Sequence, residues 1–195
     1  MEGKAKPLHV TAMASTGIAQ KILDRPCEDT ITLNVVWENL NSDNRGTATY
    51  TASWVAGKAD VHSQQRFFCL MEQGEVTADQ CHRGYTVAED GCDFQSYNPL
   101  YIRNKPDPKG RYCGQAGYGY VSFQKFVEAA QEIRDGKKKC TDFYDDLPCG
   151  YHVLNTSAIL EAGRLSLDNG GRRVAIVSKP NQHTGLPEPI DLVVE

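Results

Sequence analysis

Lys58, His62, Gln64 and Arg66 recur at even positions along KADVHSQQRFF, residues 58–68. In a strand, even positions share a face, which Asp60 joins. An imidazole, an amide and a guanidinium on one face can exchange hydrogen bonds with the hydroxyls of a polyol or hold a carboxylate. The same residue types serve equally well at a polar contact between subunits. The other face is polar as well, with Ser63 and Gln65 between Val61 and Phe67. A strand that is wet on both sides suits a sheet with a ligand cleft or helices on one side and a partner on the other.

Tyr112, Tyr118 and Tyr120 lie in a glycine-rich segment, where they could stack on a sugar or pack over a sheet edge. GYGYVS, residues 117–122, imitates a dinucleotide-binding turn. That turn requires an apolar strand immediately upstream within a βαβ unit. Upstream here is NKPDPKGRYCGQA, which cannot be a buried parallel strand, and Ser122 in place of the last glycine reads as a helix N-cap. No Ser-His-Asp or Cys-His spacing marks a nucleophile, so no residue is assigned a catalytic role. Asp142, Asp145 and Asp146 around Tyr144 read as a loop and helix start, and His82-Arg83 as a solvated corner. The seven cysteines form no C-x-x-C pair, which favours buried free thiols over a metal site.

The elements that must position these residues are strands first and helices later. TITLNVVW sets Ile31, Leu33, Val35 and Trp37 against Thr30, Thr32 and Asn34, and TATYTASWVA sets Tyr50 and Trp54 against Thr47, Thr49, Thr51 and Ser53. Such period-2 alternation predicts strands, and the Asn-, Asp- and Gly-rich loop between them predicts a hairpin. HVTAMAS, VHSQQRFFCL, GEVTAD, GYTVA and RRVAIV predict further strands, while residues 91–121 read as irregular. Phe123, Phe126, Val127, Ala130 and Ile133 fall at helical spacing up to a C-cap at Gly136, and a second helix is expected over 151–168. The predicted fold is α+β: an open-faced, largely antiparallel sheet of six or seven strands with two main helices on one face. The threonine row then lies on the uncovered face. A domain is expected over 1–177 and an irregular surface tail over 178–195.

In this order, the segments EDTITL, YTASW, KADVHSQQRFF, GEVTADQCHRGYTV, NPLY, GQAGYGYVSFQKFVEAAQEI and TSAILEAGRLSLDNGGRRVAI resemble one family over about residues 8–177. The resemblance is to the C-terminal half of the Gfo/Idh/MocA oxidoreductases, the glucose–fructose oxidoreductase and inositol dehydrogenase group. It implies an α+β domain that completes a sugar or polyol site and oligomerises through its open sheet. The cofactor domain, which binds NAD(P) in a full-length relative, would lie upstream; its Glu-Lys-Pro and Asp-x-x-x-His motifs are not found here. The resemblance therefore implies a substrate-binding and oligomerisation half that binds no cofactor by itself. Lys58, His62, Gln64, Arg66, Tyr118 and Tyr120 are its candidate sugar- or polyol-binding residues. The alternative is a non-catalytic module that pairs through its sheet with itself or a relative.

The remaining features exclude other classes. A net charge of −4 gives no nucleic-acid surface, and Lys137–Lys139 follow a predicted helix whose negative end they complement. No run approaches the ~20 apolar residues of a membrane helix. Without a signal-peptide core, and with an odd number of unpatterned cysteines, the expected location is the cytoplasm.

Overall fold

A computed structural model describes residues 5–55, 65–79, 84–97, 108–111, 119–143, 146–148, 150–182 and 185–195. The chain divides into two compact units, Met1–Gly57 with Phe143–Glu195, and Lys58–Asp142.

The first unit is built on a five-stranded sheet. β1 (Ala5–Thr16), β2 (Glu28–Asn39) and β3 (Arg45–Ser53) come from the start of the chain. β8 (Val174–Pro180) and β9 (Pro187–Val194) come from its end. The order is β3-β2-β1-β8-β9, and every neighbouring pair is antiparallel. α1 (Ala19–Leu23) links β1 to β2, and α3 (Leu154–Asp168) lies on one face. Alternation decides which residues go inside. Val10, Ala12, Leu33, Val35, Val174 and Ile176 point towards Ile159 and Ala162 of α3 and form one buried cluster.

Two small residues let the helix sit close. A Cβ on Gly163 would lie 2.6 Å from Leu33 Cδ2, so only glycine permits this approach. Ser166, fully buried, accepts a hydrogen bond from the Ala12 amide (2.9 Å) and donates one to the Arg172 carbonyl (2.6 Å). The β1–β8 ladder ends at Val10–Val174, so the serine satisfies a β1 amide that the sheet leaves open. Gly170 and Gly171, both at positive φ, then turn the chain out of α3 into β8.

The second unit holds a four-stranded antiparallel sheet in the order β4-β5-β6-β7. Its strands are β4 (Arg66–Met71), β5 (Gly74–Asp79), β6 (Gly84–Glu89) and β7 (Gln95–Tyr97). α2 (Tyr120–Arg134) follows and closes at Gly136, whose positive φ lets the Lys137 amide reach the Glu132 carbonyl. The apolar stripe of α2 is uncovered: Phe123, Phe126 and Val127 are all exposed. Lys137 and Lys138 pair with Asp135 and Glu132 at the end of α2.

The chain is thus α+β with antiparallel sheets and two main helices, as the sequence predicts, but its strands divide into sheets of five and four. α3 belongs to the five-stranded unit and α2 to the other. The expected irregular tail instead forms the end of β8 and all of β9. Pro187 and Pro189 are tolerated there because β9 is an edge strand with no neighbour on its outer side among the described residues. The N-cap of α2 is Gly119 rather than Ser122, which lies inside the helix. The four described cysteines, Cys27, Cys69, Cys92 and Cys140, are free but half-buried or exposed rather than buried. Among the described residues, no helix is long and apolar enough to cross a membrane.

Replacing Ser166 with alanine leaves the Ala12 amide and the Arg172 carbonyl without their partner in a dry site. The expected cost is about 1–3 kcal/mol of unfolding free energy. Urea denaturation of Ser166→Ala measures it, and an unchanged midpoint would show that the hydroxyl holds nothing.

Candidate functional site: the open face of the five-stranded sheet

With Val10, Ala12, Leu33 and Val35 turned towards α3, the alternate residues of the same strands form the opposite face. On β2 and β3 that face is a ladder of short polar side chains. Thr30 Oγ1 lies 2.8 Å from Ser53 Oγ, and Thr32 Oγ1 lies 3.0 Å from Thr51 Oγ1. Thr49 Oγ1 donates to Asn34 Oδ1 at 2.8 Å. Each pair sits in register across the hairpin, so the side chains bond to each other while remaining exposed. Threonine combines high strand propensity with this pairing.

Across β1, β8 and β9 the face changes character. His9, Thr11 and Met13 lie on β1, Ala175 and Val177 on β8, and Val193 on β9; Met13, Val177 and Val193 are exposed. Charges stand at the margins. Lys6 pairs with Glu38 at 2.8 Å, and Arg173 pairs with Glu195. The Lys6 ammonium, chiefly through its hydrogen bond, holds the Glu38 carboxyl below the usual carboxylate range. Burial, followed by the positive charges of Arg173 and Arg45, holds the His9 imidazole below its ordinary pKa.

Two carboxylates that sequence reasoning passes over hold the rim. Asp29 is buried and accepts the Ile18 and Ala19 amides, the latter at 2.5 Å, at the start of α1. Its carbonyl receives the Trp54 amide at 2.8 Å, tying α1 and the end of β3 to one residue. Glu28 accepts from Arg164 at 2.6 Å, while the same guanidinium meets Asp168 one helical turn on. The hydrogen bond from Arg164 lowers the Glu28 pKa, and both carboxylates raise that of the arginine. The i, i+4 pair of Arg164 and Asp168 is visible in the sequence. The distant partner Glu28 has no such signal.

Of the residues expected to bind a ligand, Lys58, His62, Gln64 and Tyr118 lie outside the described residues. Arg66 opens β4 and forms an ion pair with Asp79, opposite it on β5, at 3.3 Å. Tyr120 is the exposed first residue of α2. Neither lines the open depression at the β4–β5 hairpin, which is bounded by Met71, Glu72, Gln73, Glu75, Val87 and Glu89. Among the described residues, no three His, Cys, Asp or Glu side chains converge on a point. The described strands before α2 are antiparallel to one another, and Gly119 is the N-cap of that helix.

The fold and this face define an α+β protein with an exposed, self-bonded polar sheet surface. No protein-family model, curated protein or solved structure matches the chain.

The three depressed pKa values set a pH dependence. A folded-state pKa below the ordinary 6.5 means that unfolded His9 takes up its proton first, so stability present above 6.5 is lost as the pH falls. Glu28 and Glu38, both lowered from 4.5, lose their contributions in a further step below that value. Thermal unfolding from about pH 8 to about pH 3 should show both steps. His9→Gln should remove the upper one and Arg164→Gln should reduce the lower, to which Glu38 still contributes; unchanged profiles would contradict the assignment.

Proposed function

We propose that this chain is the substrate-binding and oligomerisation half of an NAD(P)-dependent sugar or polyol oxidoreductase, and that its own task is assembly through the open sheet face. The observation that carries the reading is the cross-strand bonding of Thr30 with Ser53, Thr32 with Thr51, and Asn34 with Thr49. A hydroxyl that loses water without a partner costs free energy, whereas one already bonded within its own sheet can be covered cheaply. The face is therefore wet in isolation yet ready for contact, a combination suited to subunit pairing. The resemblance to the Gfo/Idh/MocA C-terminal half points the same way. Lys58, His62, Gln64, Arg66, Tyr118 and Tyr120 are proposed to meet the sugar or polyol, with hydride transfer left to a cofactor domain.

A non-catalytic pairing module is the second reading, favoured by the same ladder. Sedimentation velocity over a range of concentrations tests what the two share. A reversible dimer is expected, and Thr32→Arg should abolish it without unfolding the chain. A strictly monomeric chain would overturn both readings. Calorimetric titration with inositol, glucose and uronic acids then separates them: heat of binding supports the oxidoreductase half, and silence from a folded sample supports the bare module.

A further inference from the structure

We infer that the outer edge of β4 pairs antiparallel with β4 of a second copy, about a two-fold axis through Cys69, joining their four-stranded sheets edge to edge. The contact belongs to the second unit and takes nothing from the open face of the first. β4 ends its sheet, and among the described residues no strand pairs with its outer side. Edge strands are usually blunted by proline, charge or a bulge. RFFCLM has no proline and pairs with β5 without a register shift, and its single charge, Arg66, is held by Asp79 at 3.3 Å. Phe67 and Met71 on one face, and Phe68 and Leu70 on the other, are all more than half exposed. An unblunted backbone edge therefore runs between two exposed apolar faces.

The hairpin decides which backbone groups point outward. Met71 and Gly74 flank the two-residue turn of Glu72 and Gln73, and residues that close such a turn exchange hydrogen bonds. Alternation then directs the amides and carbonyls of Met71, Cys69 and Phe67 to β5, and those of Phe68 and Leu70 outward. A second β4 can add only with Phe68 and Leu70 in hydrogen-bonded positions, so the two-fold must be centred on a residue rather than between two.

Charge selects the residue. Centred on Cys69, Phe68 faces Leu70 of the second copy in a hydrogen-bonded pair, Phe67 faces Met71, and Arg66 meets Glu72, which is exposed in the turn. Each contact occurs twice by symmetry. The donors of a guanidinium allow Arg66 to keep Asp79 as well. A centre on Phe68 would set Arg66 against Leu70, and a centre on Leu70 would set it against Gly74, so neither joins opposite charges. The two Cys69 residues then form a non-hydrogen-bonded pair with Cα atoms ~4.5 Å apart, inside the ~4.4–6.8 Å span of a disulfide. One strand edge is a small contact beside the ~1,600 Å² of a standard interface, so the pairing is transient at concentrations that hold the open-face dimer together.

Oxidative trapping tests it, in the Thr32→Arg chain so that the open face takes no part. Diamide accepts two electrons and the two thiol protons as the S–S bond forms, and leaves as its hydrazine. A disulfide-linked dimer is expected, with peptide mass mapping placing the bond between the two Cys69 residues, and Cys69→Ser should abolish it. Phe68→Pro removes an outward N–H that β5 does not use and should slow trapping about tenfold. Glu72→Lys should slow it about fivefold at low salt and less at high salt. Circular dichroism confirms that each variant is folded; should the proline unfold the chain, Glu72→Lys carries the test. No dimer, a bond at another cysteine, or folded variants that trap at the parent rate would overturn the edge pairing and leave the assembly reading untouched.

Discussion

The seat of α3 on β1 and β8 is the contact from which the first unit is organised. The two ends of the chain meet there: β1 and β2 belong to the first forty residues, whereas α3, β8 and β9 lie beyond residue 150. Gly163 admits the Leu33 side chain against the helix backbone, and Ser166 bridges a β1 amide to the turn before β8. Neither contact is strong alone. Together they set the height and rotation of the helix over the sheet, and so determine which residues of five strands can be buried.

One helix is narrower than five strands. α3 lies over β1, β8 and β9, and among the described residues of this unit no helix covers the inner side of β3. Tyr50 and Trp54 are accordingly 47% and 82% exposed, although the alternation places them on the core side of the sheet. The outer side of the sheet receives no helix of its own unit among the described residues, and its sequence shows the adjustment. Where β2 must be apolar inwardly it carries Ile31, Leu33 and Val35; outwardly it carries Thr30, Thr32 and Asn34. β-Branched threonine keeps the strand stiff, and its hydroxyl finds a partner on β3.

This much could be read from the sequence because alternation and helical spacing are local. The hairpin of β2 and β3, the threonine face, and the helices over 120–134 and 154–168 all follow from residues close in the chain. The division of strands between two sheets does not, since alternation says which face a residue takes and nothing about which strand lies alongside. β9 was hidden by Pro187 and Pro189, which deny it a central position but not an edge. α1 is only five residues long and is held by the buried carboxylate of Asp29, a contact without periodicity. For the candidate site, the open face was legible and its margins were not. Ion pairs such as Arg164 with Glu28 join residues 136 positions apart. Arg66 was legible as polar, but its engagement by Asp79 follows from the β4–β5 register.

The polarity of the open face also bears on what can associate with it. A flat apolar face of this size would bind indiscriminately, since burial of greasy area is non-directional. A face whose hydroxyls are mutually bonded gains little from random contact, because covering it releases little ordered water from apolar surface. The hydroxyl ladder also keeps the cost of drying such a face low. Proline in β9 adds to the same effect by denying other strands a full edge to extend. The proline-bearing edge and the polar open face thus both limit indiscriminate association.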